Sequence, residues 1–147
     1  MRAIFICSGN ICRSPMAERL FAHLAKERGL PHATLSMGTL GIQRSRASNH
    51  AIDVMRERGV DLTAHRSQGL SRGILSKATH IWALEQHHAD AVLSLAPDLR
   101  PRVALLGKFT GPPDGILDPV NQDREVFVRC AIRIEASLNA WLDSEAK

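Results

Sequence analysis

The sequence contains no tyrosine, and its aromatic content is only 4%, from four phenylalanines and two tryptophans. So few rings exclude a base-stacking platform of the kind that binds single-stranded nucleic acids. The net charge of +4 favours anionic ligands, but it falls well below that produced by the dense basic tracts of nucleic-acid-binding proteins. We therefore expect no nucleic-acid partner.

Long hydrophobic runs are also missing. The apolar run near the N-terminus, residues 3–7, is too short for the core of a signal peptide or for a membrane span. The three cysteines, Cys7, Cys12 and Cys130, are too few and too odd in number for a secreted disulfide framework, and no C-x-x-C pair suggests zinc. These features predict a cytoplasmic protein without a membrane partner, in which at least one cysteine remains a thiol.

The sequence does contain a regular alternation of apolar patterns. Its 147 residues and 44% hydrophobic content fit one domain, residues 1–147, with a single core. Short apolar runs predict strands, and apolar residues at helical spacing predict helices. The predicted strands are residues 3–7, 33–37, 79–84 and 103–106. The predicted helices are the segment from Pro15 to Gly29, residues 51–58, residues 86–95 and a long C-terminal helix. The long helix carries its apolar residues on one face: Val126, Phe127, Cys130, Ile134, Leu138, Trp141 and Leu142. This order predicts an α/β fold whose parallel sheet is flanked by helices on both faces and binds ligands beyond the carboxyl ends of its strands.

Residues 7–15 read CSGNICRSP and follow the first predicted strand. In this position, loop N–H groups and the dipole of the next helix attract an anion. They would also stabilise a thiolate on Cys7, which is the form that attacks phosphorus. Arg13 follows six residues later, and its guanidinium can hold two phosphoryl oxygens at once.

The remaining loop residues fit the same interpretation. Gly9 and Asn10 are residue types that readily accept the left-handed backbone angles that such a loop needs. Ser14, before Pro15, can cap the helix, and its hydroxyl can donate to the Cys7 sulfur. The segment thus predicts a phosphate-binding loop between the first strand and the first helix, made of Ser8, Gly9, Asn10, Ile11, Cys12 and Ser14 around Cys7 and Arg13.

Two questions stay open at the level of residue patterns. Cys12 is either a small buried apolar residue or a redox partner that traps oxidised Cys7 as a disulfide, whereas Cys130 fits the core. Phosphate-ester cleavage also needs an acid to protonate the leaving oxygen. Three carboxyls in the C-terminal part compete for that role, and helix capping is an alternative role for any one of them: Asp114, Asp118 and Asp123.

From Cys7 to Pro15 the loop resembles the signature of the low-molecular-weight protein tyrosine phosphatases. Three further segments are similar to elements of that family in the same order: Ser36-Met37-Gly38-Thr39, His65-Arg66-Ser67 and Asp118-Pro119. The resemblance implies a four-stranded parallel sheet and a phosphocysteine mechanism that needs no metal and no cofactor. It implies Cys7 as nucleophile, Arg13 as phosphate ligand and Asp118 as general acid, with Ser36 and His65 supporting Asn10. The substrate would be a phosphorylated protein, with phosphotyrosine as the first choice, or a small phosphate ester.

The sequence departs from many tyrosine-directed relatives at the expected pocket walls. They carry aromatic residues there, whereas residues 40–46 and 120–121 contain none. An aliphatic rim packs a flat ring but loses about 1 kcal/mol of stacking energy per aromatic pair, so selectivity for phosphotyrosine follows less directly than phosphatase chemistry. Phosphoarginine-directed relatives typically have Thr at the position of Ile11, which argues against that specificity without excluding it. Arg44 and Arg46 either steer acidic substrates or are ordinary solvated arginines.

Two other functions compete with this one. Related arsenate reductases need two further cysteines on the segment after the third strand, and residues 79–95 contain none. A non-catalytic phosphate-binding module would need neither a thiolate nor an acid. The neighbouring His87 and His88 occupy helical positions that do not face each other, so the sequence predicts no metal site there.

Overall fold

The computed structural model of the protein describes residues 1–111 and 115–146. Within them the chain forms four strands: β1 (Arg2–Cys7), β2 (Ala33–Gly38), β3 (His80–Ala83) and β4 (Val103–Leu105). The α-helices of these residues are α1 (Arg13–Glu27), α2 (Asn49–Arg56), α3 (Arg72–Leu75), α4 (Gln86–Leu95) and α5 (Arg124–Glu145). Two 3₁₀ helices, Pro97–Arg102 and Leu106–Phe109, flank β4.

The strands form one sheet in the order β2-β1-β3-β4, and every neighbouring pair is parallel. Strand β1 is therefore central, with β2 on one side and β3 on the other. The helices that follow β1 and β3, α1 and α4, pack on opposite faces of the sheet, and the crevice between two such strands is where parallel sheets bind ligands. The loop that follows Cys7 lies at this point.

Alternation along β1 directs its side chains into two cores. Ala3 and Phe5 face the larger core, which the sheet forms with α1, α2 and α5. Ile4 and Ile6 face the smaller core, against α3 and α4. Because strand side chains alternate between faces, a buried run such as this one requires cover on both sides. The predicted α/β fold with helices on both faces of a four-stranded parallel sheet is confirmed.

The structure corrects several predicted boundaries. Helix α1 begins at Arg13, two residues before the predicted start at Pro15. Helix α2 is Asn49–Arg56 instead of 51–58, because the Ser48 hydroxyl caps it by accepting the Ala51 N–H over 3.3 Å. The short helix α3 was not predicted, since four residues are too few to produce a periodic pattern. Within residues 1–111 and 115–146, no helix combines the length and the apolar character needed to cross a membrane.

Candidate active site

The loop after β1 turns its carbonyl groups outward. Four of them accept hydrogen bonds from other segments: Cys7 O from Thr39 N–H (2.9 Å), Ser8 O from Leu40 N–H (3.0 Å), Asn10 O from His65 Nε2 (2.7 Å) and Ile11 O from Ser48 N–H (2.8 Å). In a trans peptide the N–H points opposite to the carbonyl of the same plane. The N–H groups of residues 8, 9, 11 and 12 therefore point into the loop, where they form a cradle for an anion.

Asn10 adopts a left-handed backbone conformation, with φ of 57°, and is fully buried. The Gln68 N–H donates to its Oδ1 over 3.0 Å, which turns the amide nitrogen toward two hydroxyls. That nitrogen donates to Ser14 Oγ at 2.7 Å and to Ser36 Oγ at 2.9 Å. Ser36 thus lies at the supporting position that the resemblance implied, as does His65 on the Asn10 carbonyl. These contacts stabilise a conformation that residues other than glycine seldom adopt.

A buried acid that the sequence did not predict also belongs to this network. Glu18 is a buried acid of α1, and its Oε1 accepts the Ser36 hydroxyl over 2.7 Å. The sequence could have indicated a buried Glu18, because this residue lies one helical turn after Ser14 and one before Phe21, on the apolar face of α1. An acid on a buried stripe requires a polar partner.

Cys7 and Ser14 are in direct contact, with 2.9 Å between Sγ and Oγ. The Ser14 oxygen accepts from the Asn10 amide, and once Cys7 is a thiolate only the Ser14 hydroxyl can be the donor in this contact. A hydrogen bond of this kind stabilises a thiolate. The expectation that Ser14 caps α1 is wrong: Cys12 is the N-cap residue without a side-chain cap, and Ser14 lies in the first turn, where its hydroxyl serves Cys7.

Arg13 is buried beneath the loop with 1% of its surface exposed. It forms ion pairs with Glu85 at 2.6 Å and with Asp118 at 3.3 Å, and it donates to the Ile116 carbonyl at 2.7 Å. Its Nε is buried without a hydrogen-bond partner in the described part of the chain. A buried N–H donor that lacks a partner is rare in native proteins, and an anion in the cradle would supply the acceptor.

Asp118 is the competing carboxyl that reaches the loop. It contacts Arg13, and its Oδ1 accepts the Val120 N–H over 3.0 Å. Asp123 caps α5 by accepting the Val126 N–H at 3.3 Å, and Asp114 lies outside the described residues. The structure thus brings together Cys7, Arg13 and Asp118.

These residues line a cavity of about 110 Å³ at the carboxyl edge of the sheet. Ser8, Gly9 and Cys12 of the loop also line it, and its side walls are aliphatic, as expected from the missing aromatic residues: Ile11, Leu40, Ile42 and Val120. Leu40 and Ile42 are exposed at the mouth. The cavity therefore joins a charged floor to an apolar rim.

The N-terminus of α4 provides a second support that the sequence did not reveal. His88 is fully buried, and its Nδ1 accepts the Glu85 N–H at 3.0 Å. Its Nε2 therefore carries the proton and donates to Ser8 Oγ at 2.8 Å. Burial, aided by the charge of Arg13, lowers the pKa of His88 to about 4, so the ring is neutral at pH 7.

Glu85 is held ionised in the same turn. Burial acts to raise its pKa, but the hydrogen bond and charge of Arg13 outweigh burial and lower the pKa below its usual value. One turn of chain thus contacts both ends of the phosphate loop: Glu85 contacts Arg13, and His88 contacts Ser8.

The prediction that His87 and His88 do not face each other is wrong. Their ring centroids lie 4.0 Å apart, because His87 folds back toward Glu85, with 3.2 Å between Nε2 and Oε2. Ligand atoms of these three residues lie within 4.8 Å of one another. However, both nitrogens of His88 and the Glu85 carboxylate already hold other partners, so a metal ion would have to break those bonds.

The other two cysteines are buried thiols. Burial raises the pKa of Cys12 to about 11 and that of Cys130 to about 12. Cys12 makes a weak contact of 3.5 Å with Ser48 Oγ, and Cys130 lies in the larger core as predicted. Both are protonated at neutral pH. The placement of Cys12 agrees with the buried apolar interpretation, and its redox role stays a prediction.

The fold and this site define an α/β phosphatase that depends on a cysteine nucleophile. The sequence profile of the family described as low molecular weight phosphotyrosine protein phosphatase matches residues 2–147, and the chain belongs to that family.

Individual relatives carry two different specificities in their names. The chain is 36% identical to a protein-arginine-phosphatase of Geobacillus stearothermophilus over 86% of its own length and 83% of that protein. It is 30% identical to the low molecular weight protein-tyrosine-phosphatase Wzb of Escherichia coli over 94% of its own length and 90% of that protein. Among solved structures, it is similar to the YwlE arginine phosphatase, in a cysteine-to-serine mutant whose active-site serine is phosphorylated. The TM-score is 0.94 and the identity is 28%, and the match covers 100% of this chain and 97% of that one.

Proposed function

We propose that this protein hydrolyses phosphotyrosine in phosphorylated protein segments, and small aryl phosphate esters, through a phosphocysteine on Cys7. The observation that carries the proposal is the 2.9 Å contact of Ser14 Oγ with the Cys7 sulfur at the floor of a cavity that Arg13 and Asp118 also line. A binding module would have no use for a stabilised thiolate beside an acid.

In the first step, the Cys7 thiolate attacks phosphorus while the bond to the leaving oxygen breaks. The electron pair goes to that oxygen, and protonated Asp118 supplies its proton. Arg13 and the inward N–H groups stabilise the charge on the other phosphoryl oxygens. No metal ion takes part in this proposal.

In the second step, water attacks the phosphocysteine and its proton passes to the Asp118 carboxylate. The S–P bond breaks, inorganic phosphate forms, and the electron pair returns to the Cys7 sulfur. The Ser14 hydroxyl stabilises the thiolate as it leaves. Ser36, His65 and Glu18 contribute by holding Asn10, and through it the cradle.

The aliphatic walls favour an aromatic ring over a guanidinium group. Ile11, Leu40, Ile42 and Val120 offer a ring apolar contact. The carboxylate of the lining, Asp118, is already paired with Arg13 and the Val120 N–H, which leaves few acceptors for the N–H donors of a phosphoarginine. Leaving such donors unpaired in a buried site is unfavourable. We therefore propose phosphotyrosine as the substrate, although several of the similar proteins are named arginine phosphatases.

The three free cysteines support a cytoplasmic location, because a reducing compartment keeps thiols such as Cys7 from forming disulfides. The arsenate-reductase alternative would need a cysteine relay. Cys130 is 6% exposed in the core, and Cys12 stays protonated, which makes both poor relay thiols.

The test compares the wild type with Cys7→Ser on p-nitrophenyl phosphate without added metal. We expect turnover in the wild type, none in Cys7→Ser, and retained vanadate binding by the variant. Phosphotyrosine and phosphoarginine peptides of identical sequence then decide the specificity. Loss of vanadate binding in a folded Cys7→Ser protein contradicts the cradle, and preferred hydrolysis of phosphoarginine contradicts the choice of substrate.

A further inference from the structure

A polar depression lies beside the mouth of the catalytic cavity. It is lined by Gln43, Arg44, Arg66, Ser67 and Gln68, which we call the Arg44–Arg66 surface. It starts directly after Ile42, a wall residue of the cavity. Because consecutive Cα atoms are 3.8 Å apart, the Cα of Arg44 lies within about 8 Å of that of Ile42. A substrate bound in the cavity therefore passes close to this surface.

The backbone of this surface is held by several hydrogen bonds. Arg44 has a φ of 60°, and its N–H donates to the Ser67 carbonyl over 2.8 Å. Ser45 and Ser67 exchange two further bonds, each of 2.8 Å. On the same segment the Gln68 N–H donates to Asn10. The surface is thus fixed to the phosphate loop itself.

The Arg66 guanidinium is also pre-positioned. Its Nη1 donates to the carbonyls of Thr63 and His65, at 3.2 and 2.7 Å. An arginine carries five N–H donors, so these two bonds leave others for a ligand. A guanidinium that is already oriented loses less conformational freedom when it binds.

The charge of this surface is not neutralised by the protein. Arg44 and Arg66 are exposed and, in the part of the chain that the structure describes, form no salt bridge, and no acidic residue lines the depression. Several other exposed or half-buried arginines are paired with a carboxylate, among them Arg19, Arg28, Arg58, Arg72 and Arg124, whereas Arg2, Arg46, Arg100 and Arg102 also form no salt bridge in the described residues. Two cations, with no acidic residue in the lining of the depression, attract an anionic partner.

We propose that the Arg44–Arg66 surface binds an acidic side chain of the phosphorylated substrate, and so selects phosphopeptides with Asp or Glu about two to four residues from the phosphorylated residue. This inference rests on the proposed phosphatase function and specifies its substrate class. The acidic side chain binds to this surface while the phosphate of the same peptide occupies the cradle. Binding at the surface therefore raises kcat/KM for acidic peptides, and it does not change kcat/KM for small aryl esters because they do not reach the surface.

The experiment measures kcat/KM for two phosphotyrosine peptides that differ only in flanking Glu or Gln residues. We expect the wild type to prefer the acidic peptide by about three- to tenfold, with the preference falling at high salt. Arg44→Asn keeps a residue that tolerates positive φ, and Arg66→Gln keeps a donor. Each variant should lose most of the preference while its turnover of p-nitrophenyl phosphate stays unchanged.

Arg100→Gln is the matched control. Arg100 is an exposed arginine in the 3₁₀ helix before β4, at the opposite edge of the sheet, and this variant should keep the wild-type preference. Equal kcat/KM for both peptides in the wild type, or an equal loss on both peptides in Arg44→Asn, overturns the docking inference alone. No turnover of p-nitrophenyl phosphate by the folded wild type overturns the proposed function and this inference with it.

Discussion

The ring of His88 donates a hydrogen bond to the hydroxyl of Ser8 over 2.8 Å, from helix α4 to the first residue after Cys7. The opposite nitrogen of the same ring accepts the Glu85 N–H, so the tautomer is fixed by the backbone. The Ser8 carbonyl is separately held by Leu40. The start of the phosphate loop is thus held at both its side chain and its main chain.

This relationship predicts that His88 and Ser8 act as one unit. His88→Asn keeps an acceptor for the Glu85 N–H but is too short to reach Ser8, and Ser8→Ala removes the other partner. Each single variant should have a kcat/KM for an aryl phosphate that is about fivefold lower, and inorganic phosphate should inhibit it about fivefold more weakly. This factor corresponds to the loss of one hydrogen bond of about 1 kcal/mol. The double variant should lose no more than either single variant, and His87→Asn should behave like the wild type. Additive losses in this double-mutant cycle would contradict the coupling.

Stability should fall as the pH is lowered through the range in which the buried histidines titrate. Burial lowers the pKa of both His65 and His88, the latter to about 4, whereas an unfolded histidine titrates near 6.5. Between these values the unfolded chain binds more protons, so the free energy of unfolding decreases toward acid. Urea denaturation at pH 7 and at about pH 5 should therefore give a smaller decrease for His88→Asn than for the wild type. An equal decrease would mean that His88 is not held neutral.

Asp118→Asn should slow substrates according to their leaving group. The amide cannot deliver a proton, so phenyl phosphate, with a poor leaving group, should lose about 10²-fold or more in kcat. p-Nitrophenyl phosphate needs little protonation of its leaving oxygen and should lose much less. Asp123→Asn, at the cap of α5, is the control and should leave the leaving-group dependence unchanged. Equal losses on both substrates in Asp118→Asn would place the acid elsewhere.

Gly38→Ala should damage the phosphate loop. An added Cβ would lie 2.6 Å from the Ser8 carbonyl oxygen and 3.0 Å from the Asn10 backbone nitrogen, both in the loop. A displacement of the loop by a fraction of an ångström should reduce kcat/KM by about 10-fold or more. Gly73→Ala is the matched control, since nothing lies within 4 Å of its added Cβ. Wild-type kcat/KM in folded Gly38→Ala would show that the loop tolerates this shift.

Local parts of the site could be predicted from residue order. A strand, a loop and a helix follow one another within residues 2–27, so the position of Cys7 and Arg13 between a predicted strand and a predicted helix put both at an anion-binding helix terminus. The choice of Asp118 among three carboxyls could not be made this way. It depends on the path of the chain after β4, which places Asp118 3.3 Å from Arg13 and Asp123 at the cap of α5.

The sequence by itself therefore determined the alternation of strands and helices, the phosphate loop and the chemistry that its residue types allow, because these depend on neighbours along the chain. Tertiary structure alone decided which further groups hold that loop: the side chains of Glu85 and His88, the backbone N–H of Gln68, and Glu18 through Ser36. Glu85 and His88 lie more than 70 residues from their partners Arg13 and Ser8. Such contacts arise from how β1, β3 and α4 pack together, and no periodicity along the chain encodes them.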